Sequence, residues 1–378
     1  MLQMVTSPWI RTATQHDPWD VVIIGGGPAG AIAARQLALQ SKQVLLVEKS
    51  RSPRFKVCGG CLGREALDVL AEIGLGDLPV RAGGTPLRSM RLCSESCTTE
   101  LKLGHRIGLS RSVFDALLLE EVVQAGATVC VETAGRLETS GDLRLRSIEL
   151  QHDHVRLTVC AKCVLVATGL SSCPPEFVAR SWPKSRIGVG TLLDPGQFDL
   201  KPNVMYMACS ADGYVGIAPV EAGRLDVAAA VDPAALAQAR SPGKLVAQIL
   251  REAGLPELAT LQAASWRGTP LLTSHTRPLG AHRCLLIGDA AEYVEPFTGE
   301  GIGWAMRSAV LASDLMRDGI DKWNTRIAQR WETLYAGRLA RQQWRCRLIS
   351  QLLLRSKLMR GLTVWGLRHA PFLAHSFT

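Results

Sequence analysis

The chain has 378 residues, of which 47% are hydrophobic and 20% are charged, and its formal net charge is +9. A chain of this length can bury a large apolar core without disulfide or metal staples, and its composition excludes disordered, collagen-like and coiled-coil proteins. No uncharged apolar stretch approaches the ~20 residues that span a bilayer, so we do not expect an integral membrane protein. The sequence predicts about two domains at roughly 150 residues each.

Residues 1–19 lack a basic segment followed by an apolar one, so we predict a loose leader rather than a secretory signal. Eleven cysteines without such a signal indicate free thiols and a cytoplasmic location. Cys58 with Cys61, and Cys160 with Cys163, have the spacing of zinc ligands. The second pair lies in an alternating strand pattern that points its sulfurs to opposite faces, so we predict no metal site.

A strand, a glycine-rich turn and a helix form the first recognisable unit. The apolar run Val21–Ile24 leads into the turn, and after the helix a second apolar run, Val44–Val47, ends at Glu48. Glycines at such a turn let a pyrophosphate approach the backbone, the helix N-terminus favours its charge, and the acid accepts ribose hydroxyls. The unit predicts a dinucleotide site formed by Gly25, Gly27, Pro28, Ala29 and Gly30, with Lys49 beside the acid.

A second glycine-bearing unit lies near residue 290. The strand Cys284–Ile287 runs into Gly288 and Asp289, and a helix follows Gly299 and Gly301. A strand-end aspartate suits ribityl hydroxyls, and a helix N-terminus suits the electron-rich end of a reduced flavin ring. Two such units predict FAD rather than a nicotinamide nucleotide as the resident cofactor. No second GxGxxG follows a strand, so we expect electrons from transiently docked NAD(P)H or from a reductase partner.

The two units resemble the FAD-binding fold of aromatic-ring hydroxylases, flavin-dependent halogenases and geranylgeranyl reductases, from about residue 20 to residue 312. The segments 54–62, 110–118 and 299–308 are most similar to geranylgeranyl-reductase-like proteins. The resemblance implies an α/β fold: a Rossmann-like FAD-binding domain of the aromatic-hydroxylase type, an inserted antiparallel-sheet substrate domain and C-terminal helices. It also implies further FAD contacts by Lys56, Cys58, Gly59, Arg111, Ala167, Thr168, Gly169, Pro296 and Ile302.

The change of pattern along the chain sets the predicted domain boundaries. We predict a discontinuous FAD-binding domain over 20–185 and 265–318, and a substrate-binding sheet over 186–264, where short strands alternate with turns. Residues 319–378 are predicted to form a basic C-terminal helical region.

The segment Gly213–Pro219 occupies the place where geranylgeranyl reductases carry a Tyr-x-Trp-x-Phe-Pro motif. Tyr214 and Pro219 match that motif, and the resemblance implies that they contact the substrate. Gly216 and Ala218 stand in place of the Trp and the Phe. Their smaller side chains widen the pocket or change its substrate. The alternative for Tyr214 is an ordinary strand aromatic.

Three reactions are open to this cofactor. A reductase would reduce or desaturate a C=C bond of a lipophilic isoprenoid- or polyketide-like substrate. A monooxygenase would hydroxylate an aromatic or lipophilic substrate through a flavin C4a-hydroperoxide, and a halogenase would oxidise halide. The halogenase motif Trp-x-Trp-x-Ile-Pro is absent, and Thr168-Gly169 stands where hydroxylases usually carry Asp-Gly, so the reductase is favoured. A structural or redox-sensing flavoprotein is the non-enzyme alternative, against which the inserted substrate domain argues.

Cys58 is the one candidate catalytic residue. By the resemblance it lies beside the flavin ring, where a thiol can donate a proton or pack against the substrate. The alternative is a small buried hydrophobic residue in a glycine turn.

The C-terminal segment is strongly basic. Residues 333–378 carry eight Arg or Lys and no acid, interleaved with apolar and aromatic side chains. This pattern favours a peripheral contact with an anionic membrane over nucleic acid. A C-terminal helical cap with a solvated basic face is the alternative.

Overall fold

The structure of the chain is a computed structural model. It describes residues 8–16, 18–95, 97–138, 143–170, 173–182, 184–195, 200–256, 260–295, 297, 299–354, 361, 363–364 and 366. Of the predicted site residues, Pro296 lies outside the described residues, as do residues 1–7 of the predicted leader. Most of the basic segment beyond residue 354 also lies outside them.

A mostly parallel sheet forms the centre of the FAD-binding half. Trp19–Ile24 pairs in parallel with Val44–Val47 on one side and with Val155–Val166 on the other. These strands are apolar and buried because helices cover the sheet. The strand order is Gly280–Ala281, Cys284–Leu286, Val155–Val166, Trp19–Ile24, Val44–Val47 and Thr128–Cys130, and Thr133–Leu137 and Arg146–His152 extend the sheet from Val155–Val166.

Two helices begin at the glycine units. Pro28–Leu39 has Gly27 as its extended N-cap and proline at its first position, which a helix start tolerates because that amide needs no partner. Gly301–Gly319 packs against it and against Arg64–Glu72. The other helices are Pro8–Ala13, Leu78–Arg81, Arg111–Gln124, Pro233–Ala239, Pro242–Glu252, Thr260–Ala263, Thr325–Tyr335 and Arg341–Leu354, with short turns at Glu221–Gly223, Gly288–Ala290 and Ala336–Ala340.

A seven-stranded sheet forms the second half. It corrects the predicted boundaries, because strands from both parts of the predicted FAD-binding domain join the segment 186–264. Val204–Cys209 is buried along its whole length and pairs in parallel with Ser89–Ser94, which covers its open edge. The sheet is therefore not purely antiparallel. The strand order is Arg267–Leu271, Ile187–Leu193, Leu225–Val231, Gly213–Pro219, Val204–Cys209, Ser89–Ser94 and Cys97–Lys102.

The remaining strands form two small sheets. They join segments that are distant in the sequence and lie around the glycine units. One contains Cys61–Leu62, Ile107–Gly108 and Thr85–Pro86, and the other contains Val178–Ser181, Ser274–Arg277 and Glu292–Tyr293.

The two faces of the seven-stranded sheet pack against different parts of the molecule. Val227, Ala229 and Val231 belong to a core that includes the helix Pro242–Glu252. Because side chains alternate along a strand, Ala228 and Ala230 point to the opposite face, toward the FAD-binding half.

The prediction of a loose leader is wrong for residues 8–16 and 18–19. The helix Pro8–Ala13 docks on the sheet, where the Trp9 indole nitrogen donates to Thr133 Oγ1 at 2.9 Å and its ring stacks on His152 at 5.1 Å. Trp19 is fully buried and already belongs to the first strand. The buried Trp19 and the half-buried Trp9 hold this segment in place.

The C-terminal helices fold back on the second glycine unit. The Trp331 indole donates to the Leu286 carbonyl at 3.0 Å, and the Cys346 thiol donates to the Glu295 carbonyl at 3.4 Å. Trp344 and Leu348 are exposed on the last described helix. Among the described helices, none is long and apolar enough to cross a membrane.

Candidate functional site

Two glycines of the first turn are required by packing. Gly25 has a φ of +111°, and a Cβ atom there would lie 2.3 Å from the Ala167 carbonyl oxygen. A Cβ atom at Gly30 would lie 1.8 Å from the Gly25 carbonyl oxygen. No side chain fits at either position, so these glycines hold the strand, the turn and the helix together.

Gly27 differs from these two, because its backbone is extended and its surroundings are open. A Cβ atom there would lie 3.6 Å from Lys56 Nζ and 3.7 Å from an Arg111 guanidinium nitrogen, which is ordinary van der Waals contact. The turn therefore leaves a cradle between two cations at the N-terminus of Pro28–Leu39. Cations and free helix amides at one place favour a phosphate group.

One buried carboxylate holds both cations. Asp115 accepts two hydrogen bonds from Arg111, at 2.7 and 2.9 Å, and lies 2.9 Å from Lys56 Nζ. Burial by itself raises the pKa of Asp115, but Arg111 and Lys56 outweigh it and hold that pKa below its ordinary value. Burial also lowers the pKa of Lys56, although Asp115 opposes it. Asp115 was not among the predicted site residues, although it lies one helical turn after Arg111.

Glu48 ends the second strand, as predicted, and is almost completely buried. Its carboxylate accepts from the Gly26 amide at 2.8 Å and from the Ser50 amide at 3.0 Å, and it pairs with Arg54 at 3.2 Å. A carboxylate has about four acceptor positions, so Glu48 retains capacity for a ribose hydroxyl. Lys49 is exposed on the following turn.

The end of the central strand supplies Ala167, Thr168 and Gly169. The Ala167 amide donates to the Ile24 carbonyl at 2.8 Å and so joins the two strand ends. Thr168 Oγ1 is buried and has no hydrogen-bond partner among the described residues. An orphaned hydroxyl beside the glycine turn fits a ligand that supplies the missing partner.

The second glycine unit meets the first. Gly288 has a φ of +60°, and a Cβ atom there would lie 2.7 Å from the Cβ of Ala29. Its amide donates to Ser308 Oγ at 2.7 Å. Burial raises the pKa of the adjacent Asp289 to about 6, against the opposing charges of Arg111 and Lys56. The cation cluster, formed by Lys56 and Arg111, and the Asp289 carboxyl therefore lie in one continuous site.

The start of Gly301–Gly319 is fixed by a buried ion pair. Glu300, its N-cap, lies 3.1 Å from Arg106 and accepts from the Glu65 amide at 3.2 Å. Gly299 has a φ of +78°, and a Cβ atom there would lie 3.5 Å from Arg106. Ile302 is buried behind this helix start. Arg106 and Glu300 were not predicted, because their pairing depends on the tertiary fold.

The irregular segment 54–60, called the Cys58 turn below, lies between the cation cluster and the seven-stranded sheet. Cys58 is half-buried, and desolvation raises the pKa of its thiol to about 11, although Arg111 opposes this. The group is therefore a thiol, not a thiolate, at neutral pH. In the described part of the chain, an added Cβ atom at Gly59 would meet no atom within 4 Å.

Small residues cover the sheet face that points toward this turn. Gly190 lies opposite Ala228, which lies opposite Gly216, so three small residues form one row across three strands. A Cβ atom at Gly190 would lie 3.1 Å from Val57 and 3.5 Å from Phe55, which shows that the face points at the Cys58 turn.

Tyr214 and Pro219 lie at opposite ends of one strand. Tyr214 is buried and contacts Phe297 edge to face, with ring centroids 4.8 Å apart. Burial, followed by the effect of Glu295, raises the pKa of Tyr214 well above its ordinary value, so it is a neutral phenol. The carbonyl of Pro219 packs on Gly108, where a Cβ atom would lie 1.9 Å away.

Two buried acids beside the Cys58 turn were also missed. Glu221 accepts from the Ser110 amide at 2.8 Å and from its hydroxyl at 2.6 Å. Asp226 is fully buried, and it lies on the strand face that carries Ala228. Asp226 is the one acid within the apolar run Leu225–Val231, and this isolated acid is the sequence feature that could have identified it as a site residue. Among the described residues, no group of three His, Cys, Asp or Glu side chains is placed to bind a metal ion.

Together, the fold and the site define a dinucleotide-binding α/β protein with an added seven-stranded sheet. A family model described as FAD binding domain matches residues 18–317, and the chain belongs to that family. Digeranylgeranylglycerophospholipid reductase of Methanosarcina mazei is 26% identical over 333 residues, which cover 83% of this chain and 78% of that protein.

Two solved structures share the fold. A geranylgeranyl bacteriochlorophyll reductase-like protein of Thermoplasma acidophilum superposes with a TM-score of 0.72 at 20% identity, covering 92% of this chain and 91% of that one. The flavin-dependent brominase Bmp2 superposes with a TM-score of 0.79 at 15% identity, covering 95% and 92%. The predicted α/β fold and the predicted family resemblance are confirmed, and the chain is an FAD-dependent oxidoreductase.

The residues present fit FAD. The open cradle at Gly27 suits the pyrophosphate, with Lys56 and Arg111 beside it, and the orphaned Thr168 hydroxyl needs a partner. Glu48 would hold the adenosine ribose, and Asp289 would hold ribityl hydroxyls. When bound, FAD supplies hydride or oxygen chemistry, and the protein binds, orients and shields it.

Proposed function

We propose that this enzyme reduces, or in the reverse sense desaturates, a C=C bond of a lipophilic isoprenoid- or polyketide-like substrate. The observation that carries the proposal is the row of small residues, Gly190, Ala228 and Gly216, opposite the Cys58 turn. The row has no side-chain bulk of its own, and Ala228, its half-buried member, offers an apolar surface for a flat or branched hydrocarbon beside the Cys58 turn. The row offers few polar groups for recognition of a polar aromatic substrate.

The comparisons support this proposal. A relative that matches most of the chain is named as a reductase of a digeranylgeranyl lipid, and the brominase shares the fold at 15% identity. For the electron donor we propose NAD(P)H or a reductase partner, because the FAD-binding half has one strand-associated GxGxxG motif.

This chain's own residues divide the work. Lys56 and Arg111 hold the phosphates, and the ion pair of Arg106 with Glu300 fixes the helix start beside the Cys58 turn. Tyr214 and Phe297 form an aromatic wall that excludes water. Cys58 holds a proton at its Sγ atom. These roles suit a reaction that needs a dry pocket and one proton.

Rapid mixing with oxygen tests the proposal against hydroxylation and halogenation. The reduced enzyme is mixed with oxygenated buffer, with and without a polyprenyl lipid. We expect a direct return of the oxidised flavin spectrum in both cases. A transient that absorbs to the blue of oxidised flavin would contradict the proposal and favour a hydroxylase or a halogenase.

Replacement of Cys58 tests its catalytic role. We expect Cys58→Ala to retain FAD, because the change removes only a sulfur from a partly open turn, and to lose turnover roughly 100-fold, as for the loss of a general acid. The matched control is Cys97→Ala, a half-buried cysteine on the outer strand of the second sheet. Turnover like that of the control variant, with FAD intact, would make Cys58 a packing residue.

We also propose that the basic C-terminal segment contacts an anionic membrane from which a lipophilic substrate is drawn. The exposed Trp344 and Leu348, next to several arginines, support it. Sedimentation with anionic vesicles should decrease with salt and after Arg338→Gln/Arg341→Gln. The matched control is Arg326→Gln/Arg330→Gln on the preceding helix. Equal binding to neutral vesicles, or no binding, would contradict the proposal.

A further inference from the structure

Asp226 is a buried acid without a visible partner. Its side chain is fully buried, and neither carboxyl oxygen has a hydrogen-bond partner among the described residues. Buried polar atoms are nearly always paired, and a buried unpaired carboxylate is strongly disfavoured. The position therefore calls for an explanation that packing alone does not give.

Its place in the sheet puts it at the edge of the small-residue row. Asp226 lies opposite Ala218 on one neighbouring strand and opposite Leu192 on the other. Ala228 is two residues further along the same strand and therefore on the same face. The acid and the row of small residues belong to one surface.

The Cys58 turn covers this acid directly. Gly60 has a φ of +58°, and a Cβ atom there would lie 2.7 Å from the Cβ and 3.1 Å from the Cγ of Asp226. Asp226 in turn acts on the Cys58 thiol electrostatically. Cys58 is half-buried, and both Arg111 and Asp226 lie close enough to act on its thiol, so Cys58 links the acid to the cation cluster.

The charges around Asp226 come from two elements. Glu221 and Arg224 lie on the turn that precedes its strand, and Arg111 lies at the start of Arg111–Gln124. Burial, helped by Glu221 and opposed by Arg111 and Arg224, raises the pKa of Asp226 well above its ordinary value. The group is thereby suited to keep a proton that an exposed aspartate would release.

We propose that Asp226 is the proton reserve of the site, a positioning residue that acts on the substrate through the Cys58 thiol. The inference rests on the proposed reduction of a C=C bond. One alkene carbon receives hydride, whose source is the external reductant NAD(P)H or a reductase. The other carbon receives a proton: the Cys58 S–H bond breaks as the new C–H bond forms. The Cys58 thiolate then takes the proton of Asp226, and the Asp226 carboxylate regains a proton from bulk solvent when the product leaves, so the enzyme ends unchanged and one solvent proton is consumed per turnover.

The first test needs no substrate. Alkylation of Cys58 by iodoacetamide is followed against pH by peptide mass spectrometry on the FAD-loaded enzyme. In the alkaline range where the Cys58 thiol ionises, Asp226 has also lost its proton and its charge opposes thiolate formation, so Asp226→Asn should lower the pH midpoint by about one unit. Asp212→Asn, on a turn at the end of the sheet, should leave it unchanged. Infrared spectra should lose one protonated carboxyl band in Asp226→Asn. If Asp226→Asn does not fold, Asp226→Ser replaces it in both measurements.

The second test uses turnover of a polyprenyl alkene. Asp226→Asn and Cys58→Ala should each lower turnover roughly 100-fold, and the double variant should lose no more than the worse single one, because both lie on one path. The inference would be overturned if the loss in the double variant equalled the product of the two single losses. An unshifted alkylation midpoint or an unchanged infrared band would also overturn it. A wild-type enzyme that reduces no alkene overturns the proposed function instead, and an alkene-reducing wild type with a fully active Asp226→Asn overturns the inference alone.

Discussion

Gly27→Val should abolish FAD binding and leave the apoprotein folded. The backbone of Gly27 is extended, which any residue adopts, and a Cβ atom there makes ordinary contacts with Lys56 and Arg111. The valine methyl groups would fill the cradle in which a phosphate must approach the helix amides. We expect the dissociation constant for FAD to rise roughly 100-fold or more, about 2.7 kcal/mol of binding free energy. Flavin fluorescence quenching with apoprotein measures it, and circular dichroism reports the fold.

Two other glycines serve as controls for this prediction. Gly30→Ala should lose the fold as well as FAD, because its Cβ atom would lie 1.8 Å from the Gly25 carbonyl oxygen. Gly337→Ala should retain both, since the new methyl group would meet no described atom within 4 Å. A Gly27→Val protein that binds FAD with wild-type affinity would show that the phosphates lie elsewhere.

Asp115→Asn should destabilise the apoprotein strongly. The substitution removes the buried carboxylate that pairs with Arg111 and Lys56 and leaves two cations close together. Breaking a buried ion pair in this way costs roughly 3–5 kcal/mol of unfolding free energy. Urea unfolding measures the loss. The matched control is Asp68→Asn, whose ion pair with Arg64 is exposed and should contribute nothing measurable. Equal stability of the two variants would contradict this account of the cluster.

The same pair predicts a pH dependence. The folded pKa of Asp115 lies below its unfolded value, so the carboxylate stabilises the fold at every pH above the unfolded pKa of about 4. That contribution disappears as the pH falls through the folded pKa. The stability difference between wild type and Asp115→Asn should therefore be constant near neutral pH and shrink below about pH 4. A difference that grows on acidification would contradict the assignment.

The glycine units could be predicted because their geometry is local. Gly25 and Gly30 contact one another across five residues, and the apolar run before them can only be a buried strand. The sequence also indicated the short strands of the second sheet. Val204–Cys209, for example, is one of the short strands that alternate with turns within 186–264. Pattern and turn chemistry decide such elements within one short segment.

The partners of these elements could not be predicted, because they come from distant parts of the chain. Ser89–Ser94 pairs with Val204–Cys209 across more than a hundred residues, so the sequence near either strand does not indicate the pairing. The helix Pro8–Ala13 looked like a leader, since its anchor is the contact of Trp9 with Thr133 and His152. A weak local pattern became ordered through tertiary packing.

The buried acids were missed for a similar reason. Asp115 and Asp226 are both visible as acids in apolar surroundings, but their roles depend on what packs against them. Asp115 has two cations at hydrogen-bonding distance, whereas Asp226 has the Gly60 backbone over it. Burial and partnership, which set their opposite pKa directions, are properties of the fold.

The most direct test of the proposed reduction is an anaerobic single turnover. The FAD-loaded enzyme is reduced with one equivalent of dithionite and mixed with a geranylgeranyl lipid in detergent, while flavin absorbance and product mass are followed. We predict that the oxidised flavin spectrum returns with the substrate and that the product gains two hydrogens for each flavin reoxidised. The contrary result has two parts. The flavin stays reduced when it is mixed with the lipid, and it is oxidised only when oxygen is admitted, with a product heavier by one oxygen atom. That result would contradict the reductase and establish a monooxygenase.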